Sequence, residues 1–491
     1  MGRGWRDKKI AELESEVARF KTLVSERDRQ IEQLLSQVQE LTASVKKLEE
    51  QARTSSRNSS KPPSSDGPAA PPRPNKPPTG RKPGGQPGHE RHERELLPVD
   101  KVSKIVACIP KHCERCAKQL RGEDPEPKRH QVTELPQVQP EVTEFQQHSL
   151  GCSGCGHYTL GKLPSGVPTG AFGPSVDATV ALLMGVYRLS KRLVPELMHD
   201  LFGLQMSLGA VIGCQQAASE ALAVPVEKAT AFAQQEPVKH ADETSWREGP
   251  QRARVWLWTV VTSYVTVFRI HARRNANAAR ELLGQACGVL VSDRHGGYMW
   301  WPDCYHQFCW AHLKRDVTKI SERGGASQRI GNEMLEEIER MFTWWHRVRD
   351  GTLARSTFQV YMRGLRRRFE ELLAQGAVLP KSKTRKTCKK LLKHAESLWT
   401  FVYIEGVEPT NNRAERAVRH GVILRKISGG TNSETGSRFI ERILTVHATL
   451  RQQQRPILDF LRTACQAALL GKPAPSLLPV PATIQRIRAA A

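Results

Sequence analysis

The sequence predicts a multidomain α+β chain, in which an N-terminal coiled coil and a cysteine-bearing module precede an α/β domain split by helices. Three observations carry that expectation: a heptad seam from Ile10 to Leu48, paired cysteines at Cys113/Cys116 and Cys152/Cys155, and a strand, hairpin, helix, strand order between Val238 and Asp293. With 491 residues the chain is long enough for several cores. Its 74 Lys and Arg against 50 Asp and Glu, a net charge of +24, favour a polyanionic partner, nucleic acid ahead of an anionic membrane surface. The first thirty residues are charged throughout, and the longest apolar run, near Ala178 to Tyr187, is too short to cross a bilayer. Secretion and membrane insertion are therefore disfavoured. Eleven cysteines, four of them in two close pairs, suit metal ligation in a reducing cytoplasm and argue against a disulfide scaffold.

Each element follows in chain order. Over 6–51 the apolar residues Ile10, Leu13, Val17, Phe20, Val24, Ile31, Leu34, Val38, Leu41, Val45 and Leu48 alternate spacings of three and four, with Arg27 the one break. Such a narrow stripe specifies a coiled-coil helix about 60 Å long, whose partner is another copy or another protein. A basic Pro/Ser-rich linker is expected over 52–94, because ten of the 31 prolines fall between Pro62 and Pro87 among Arg73, Lys76, Arg81 and Lys82. In the zinc-ribbon-like module at 95–165, each Cys-x-x-Cys puts two thiolates on one turn, so Cys113, Cys116, Cys152 and Cys155 form a candidate four-thiolate zinc site. The β-type runs Gln131 to Leu135 and Val142 to Leu150 would make a hairpin insertion between the pairs. A closed site of this kind folds a module and does not catalyse.

Residues 170–235 read as helices, at Val176 to Tyr187, Val194 to Leu201 and Leu208 to Ala223. The turn Phe202-Gly203-Leu204 and the cap Ser207 give the last two a helix-turn-helix pattern, although any antiparallel helix pair would look alike. The α/β domain is expected as a first part at 236–315 and a second part at 405–470, followed by a flexible tail at 471–491. Val238 to Ala241 leads to Asp242, Val255 to Val261 and Tyr264 to Ile270 form a hairpin, Asn277 to Leu283 is a helix, and Gly288 to Ser292 ends at Asp293. A ribonuclease-H-like sheet would place two acids this way. Adjacent carboxylates repel unless a divalent cation lies between them, and hard oxygen donors favour magnesium or manganese.

Phosphoryl transfer with two metals needs a third acid, for which Glu415 is the candidate. Asn412 and Glu415 also have capping-box spacing, so a purely structural role stays open. Between the two halves, 316–404 reads as a basic helical insertion. Arg363 to Lys393 holds eleven Lys or Arg against Glu370 and Glu371, a surface suited to salt-sensitive phosphate contacts. The DNA-binding candidates are Lys314, Arg315, Arg363, Arg366, Arg367, Arg368, Lys386, Lys389, Lys390, Arg416 and Arg419. Cys304, His306, Cys309 and His312 have compact ligand spacing, but a strand-to-helix transition would scatter them, which favours a core or near-site role for His312. His240 reads as buried support for Asp242, and Glu243 should point away from it.

The ordered set Arg57-Asn58-Ser59-Ser60-Lys61-Pro62-Pro63, Lys82-Pro83-Gly84-Gly85-Gln86-Pro87-Gly88-His89, the cysteine pairs, His240-Ala241-Asp242-Glu243-Thr244, Ser292-Asp293, Cys309-Trp310-Ala311-His312-Leu313 and Asn411-Asn412-Arg413-Ala414-Glu415-Arg416 resembles the insertion-sequence 66 family of bacterial transposases. The likeness runs to about Lys426 and departs at Ile427-Ser428-Gly429-Gly430-Thr431-Asn432. It implies a DDE transposase with a ribonuclease-H-like catalytic domain, in which Asp242, Asp293 and Glu415 match the acidic triad. Asp242 would bridge two magnesium ions while Asp293 and Glu415 complete one coordination sphere each. The implied partners are double-stranded DNA, as transposon ends and target, a second copy through the coiled coil, and accessory transposition proteins. The implied location is the bacterial nucleoid.

Overall fold

Apolar periodicity dictates most of the secondary structure in the computed structural model, which describes residues 3–53, 94–380 and 382–480. The expected linker therefore lies almost wholly outside the described residues, as does the chain beyond 480. Helix α1, Arg3–Arg53, contains the heptad seam. Phe20, Ile31, Leu34, Val38 and Leu41 on that seam are each more than half exposed, so no other described residue covers it. No helix among the described residues is long and apolar enough to cross a membrane.

The chain divides into two compact units, one of Met1–Ala70, Phe145–Pro195 and Met206–Ala491, the other of Pro71–Glu144 and Glu196–Gln205. Within the smaller unit Leu97 ties the backbone together: its N–H donates to Gln131 Oε1 at 2.9 Å and its carbonyl accepts from Gln131 Nε2 at 2.9 Å. The run Gln131 to Leu135, expected as a strand, forms none. Val132 and Leu135 stay exposed, so the alternating pattern there has no apolar surface to cover. In the larger unit, only the end of the second expected run pairs, as β1 (Ser149–Gly151) antiparallel to β2 (Tyr158–Leu160).

Four helices follow: α2 (Pro174–Gly185), α3 (Leu193–Phe202), α4 (Leu208–Ala221) and α5 (Ala223–Gln235). Ser207 caps α4 by accepting the Ala210 N–H at 3.2 Å, as its position predicted. The last helix ends two residues earlier than expected, and α5 was not foreseen; Leu222 starts a new axis, with Pro225 unable to donate to the preceding turn.

A five-stranded mixed sheet forms the centre, from β3 (Val238–Glu248), β4 (Ala253–Val261), β5 (Thr266–His271), β6 (Val289–Ser292) and β7 (His306–Phe308) in the order β5-β4-β3-β6-β7. β4 is antiparallel to both neighbours, whereas β3, β6 and β7 run parallel. Helix α6 (Ala276–Leu283) connects β5 to β6, capped by the Asn275 side chain on the Ala278 N–H. β3 is longer than its apolar stretch suggested, and Asp242 lies inside the strand, opposite Thr259 of β4.

After β7 the chain enters the insertion: α7 (Trp310–Ser321), α8 (Gly325–Arg349), α9 (Arg355–Val378), α10 (Lys383–Lys393) and α11 (Thr400–Tyr403). The expected single helix from Asp316 to Val348 breaks at Gly324 and Gly325, whose φ values of +76° and +54° suit glycine. Trp310, Phe369 and Trp399 are fully buried with ring centroids 5.1–5.9 Å apart, and the Trp310 indole donates to the Leu398 carbonyl at 2.8 Å. The core of the insertion thus continues from the sheet, where Val289 and Val291 of β6 and Phe308 of β7 belong to the same buried cluster.

Three helices close the chain: α12 (Asn412–Ser428), α13 (Glu434–Gln452) and α14 (Ile457–Leu469). α2 and α4 pack on α13 and α14, so the second helix of the helix-turn-helix pattern is braced by the C-terminal ones. Gly185 of α2 meets Ile443 so closely that no Cβ fits there. α12 lies across β3 and β4, again at a glycine, Gly421, which abuts Leu257. The expected tail is docked at its start, since Leu477 is buried and its carbonyl accepts from Gln453.

β5 is an edge strand, and α13 completes it. The outward N–H groups of Thr266, Phe268 and Ile270 donate to Thr449 Oγ1, Thr445 Oγ1 and Glu441 Oε1, side chains four residues apart on one face of the helix. Glu441 is buried, which raises its carboxyl to about 7 despite the Ile270 amide and Arg438, 3.0 Å away. A raised carboxylate pKa means that the protonated form suits the fold, so stability from this group is full below about pH 4.5 and is lost as pH rises toward 7. Glu441→Gln, which keeps the acceptor without the charge, is expected to raise the melting temperature at pH 8 by a few degrees, on the order of 1–3 kcal/mol, and to flatten its decline between pH 4.5 and 7. Thermal melts of both proteins across that range check it; an unchanged slope would refute the role given to Glu441.

Candidate active site

The sheet register brings two acids level. β3 and β6 pair in parallel with His240 opposite Val291, so Asp242 and Asp293, each two residues further on, reach the same face of neighbouring strands. Asp242 Oδ1 accepts the Glu243 N–H at 2.9 Å, and Asp293 Oδ1 accepts the His295 N–H at 2.8 Å. Burial, then the charges of Glu243 and Asp293, and more weakly that of Glu415, hold the Asp242 carboxyl well above the usual carboxylate range. The three acids expected to act together therefore feel one another, although their oxygens do not form a set within 4.8 Å among the described residues.

Glu415 comes from the first turn of α12. The capping-box alternative is not formed: Asn411 is the N-cap residue, no side chain caps the helix, and Glu415 Oε1 lies 3.4 Å from His312 Nδ1 and 3.8 Å from Cys309 Sγ. Cys309, His312 and Glu415 are the described cluster whose ligand atoms all fall within 4.8 Å. Of the four residues with compact metal spacing, Cys304 is exposed and His306 is buried in β7 against the Ser292 hydroxyl at 2.8 Å, so that set is scattered as expected. Burial pushes the Cys309 thiol up to about 11 and the His312 imidazole down, which leaves both neutral at pH 7.

Asn411 is the residue that the sequence reading missed. Fully buried, it donates its side-chain amide to the Ala241 carbonyl at 2.7 Å and its backbone N–H to Cys309 Sγ at 3.2 Å. The start of α12 is thereby fastened to the residue before Asp242. The only signal was a polar pair, Asn411-Asn412, at a helix start, which ordinary capping explains equally well. His240 is buried as expected, and burial lowers its imidazole to about 3.

Glu243 takes no place among the three acids. Arg274 Nε donates to its Oε1 at 2.7 Å and the Tyr298 hydroxyl donates to Oε2, while burial and Asp293 still raise its carboxyl. Tyr298 in turn stacks edge-on against Trp258. The charge of Asp293 is felt by both Glu243 and Tyr298.

The basic candidates divide into two groups. Lys314, Arg366 and Arg368 pair with Glu339, Glu370 and Glu333, which spends part of the surplus inside the insertion. Arg363, Arg367, Lys386, Lys389, Lys390, Arg416 and Arg419 are exposed, and Arg315 is half-buried. Lys390 on α10 is near enough to depress the His295 imidazole, after burial and Arg274, so the basic helix borders the acids.

The two cysteine pairs sit on twin turns. In one, the Cys113 N–H donates to Lys118 O and Ala117 N–H returns to Cys113 O, both at 2.9 Å; in the other, Cys152 and His157, then Gly156 and Cys152, repeat the pattern at 2.9 and 2.8 Å. Ala117 and Gly156 share the left-handed conformation, φ +58° and +74°. In each turn the amides two and three residues on lower the first cysteine's thiol pKa, those of Arg115 and Cys116 for Cys113, and of Gly154 and Cys155 for Cys152.

With this geometry in place, two family models match the chain. One, described as Transposase IS66 family, covers residues 170–438, from the helices before the sheet into α13. The other, described as Family of unknown function (DUF6444), covers residues 6–95. No curated protein matches.

Proposed function

The chain belongs to the IS66 family of transposases, and from that premise we propose that it cuts DNA at the ends of its insertion sequence and joins the freed 3′-hydroxyl to target DNA. The observation that carries the catalytic part is the level placement of Asp242 and Asp293 on parallel neighbours, with Glu415 fastened beside them through Asn411. The strand order and directions are those of a ribonuclease-H-like sheet, which supports that reading of the domain.

The donor set fits a divalent cation. Three carboxylates whose mutual charge disfavours ionisation of Asp242 provide hard oxygen ligands, the chemistry that selects magnesium or manganese over softer metals. Asp242, Asp293 and Glu415 would hold it, two ions per site in the arrangement the family implies. When bound, the metal supplies neutralisation of the charge that develops on the transferring phosphate. His312 and Cys309, neutral and in contact with Glu415, orient that carboxylate, while Asn411 keeps the helix start against β3. Arg416 and Arg419 on α12, with Arg315, Arg363, Arg367, Lys386, Lys389 and Lys390, hold the phosphate backbone near the acids; the paired Lys314, Arg366 and Arg368 contribute less.

The twin cysteine turns fit structural zinc, because amides aimed at sulfur favour the thiolate that this metal needs. Each turn would supply two thiolates, Cys113 with Cys116 on one and Cys152 with Cys155 on the other. The exposed seam on α1 supports a coiled coil with a second copy.

The test is a product assay. Purified protein with magnesium and a linear DNA carrying the insertion-sequence ends should yield joined molecules alongside nicked ones. Nicks without joining would reduce the protein to a nuclease, and neither product at any metal concentration would leave a DNA-binding regulator.

A further inference from the structure

A cleft of about 770 Å³ lies on the side of α12 away from His312, between that helix, α13, the end of α2 and the β4–β5 turn. Arg413, Arg416 and His420, spaced three and four apart on α12, line one wall, and His447 and Arg451 of α13 line the other. Arg188, after α2, reaches in from the third side and contacts His420 Nδ1 at 3.2 Å. Among the described residues, no acid lines this cleft. Arg413 shares Glu408 at 3.2 Å, but Arg416 and Arg451 have no ion-pair partner among the described residues.

Four guanidinium groups around one cavity repel, and the neighbouring imidazoles register the field. Burial and the charges of Arg188 and Arg451 lower His420, and burial, His420 and the same arginines bring His447 down to about 4. Such a site is incomplete without an anion. Arg188 also occupies a left-handed position, φ +62°, just beyond a helix end, where glycine is the ordinary choice. A side chain is retained there at a conformational cost, which accords with its place in the cleft.

The remaining lining mixes the apolar Val186, Val261, Ala417 and Ala448 with the polar Thr262, Ser263, Thr266 and Gln452, and Tyr187 is 60 % exposed. Cations beside apolar surface and an open aromatic ring match a nucleotide, with the phosphate on arginine and the base against Tyr187, and the polar side chains offer partners to its edges. The volume is too small for a duplex. We propose that the cleft holds an unpaired nucleotide of a DNA strand that passes Glu415, so that the enzyme grips a frayed or single-stranded extension next to the cut. The inference rests on the DNA-processing function proposed above and adds Tyr187, Arg188, Arg413 and Arg451 to the residues that touch DNA.

The test uses the full-length protein without added divalent metal, so that cleavage does not enter. Fluorescence anisotropy compares a blunt duplex with the same duplex carrying a three-nucleotide extension that ends in 2-aminopurine. The extended duplex should bind at least fivefold more tightly, with its 2-aminopurine fluorescence quenched. Arg451→Ala, on an exposed helical surface, should bring the affinity ratio near one, as should Arg188→Gly, which relieves the backbone while removing the guanidinium. Tyr187→Ala should abolish the quenching. A wild-type ratio near one overturns the proposal, and so does a ratio that survives both arginine substitutions. Loss of the catalytic assignment would appear separately, as no joined product with magnesium despite an intact binding preference.

Discussion

Asp242→Asn protein is expected to bind DNA ends with wild-type affinity and to form cleaved or joined product at least about 10³-fold more slowly, because it keeps the shape of the carboxylate but loses its charge and its value as a metal ligand. The same substitution should make the metal-free protein more stable. Asp242 is pushed upward by burial, then by Glu243 and Asp293, so at neutral pH its ionised form opposes folding. A raised value in the fold gives stability at low pH that is lost as pH rises, and the asparagine variant escapes that loss. Its melting temperature should therefore exceed wild type more at pH 8 than at pH 5, and magnesium should raise the wild-type value more than the variant's. Gel assays of product and calorimetry at the two pH values check both halves. Retained joining would remove Asp242 from catalysis, while an equal or lower melting temperature at pH 8 would contradict the repulsion argument.

Leu34→Glu combined with Val38→Glu should reduce the particle to the 55.0 kDa single chain in light scattering, from a multiple of that mass in wild type. Both residues lie on the seam of α1, each more than half exposed, one helical turn apart. Apolar side chains in such a row are stable in water only when another helix covers them, and two carboxylates facing their counterparts would cost several kcal/mol. Wild-type protein that already scatters as one chain would show that the seam meets something other than a second copy.

Legibility in the sequence followed the range of the forces involved. The helix that carries the heptads, the cap at Ser207, the hairpin and the starts of the strands that bear or precede Asp242 and Asp293 are local patterns, and each appears where its residues predict, although β3 runs on past Asp242. The two aspartates were readable as a pair because parallel neighbours that start level, Val238 opposite Val289, bring positions equally far along them together. Glu415 was ambiguous, since acid at a helix start serves either a cap or a site, and only tertiary packing placed it against His312 and Cys309. Asn411 was invisible for the same reason: its partner, the Ala241 carbonyl, is 170 residues away. The strand expected at Gln131 to Leu135 failed because alternation supplies one face of a sheet but no neighbour to pair with. The segment after Lys426, where the likeness departs, ends α12 with left-handed Gly429 and docks Thr431 on Arg247 and Trp246.

The comb of Glu441, Thr445 and Thr449 also fixes where the domain physically stops. The family match closes at residue 438, yet the three side chains that satisfy the outer rim of β5 all come after it. A fragment trimmed to the matched bounds would bare three amides along a hydrophobic strand, a ready template for chain-to-chain stacking and precipitation. The sheet therefore needs α13 at least as far as Thr449.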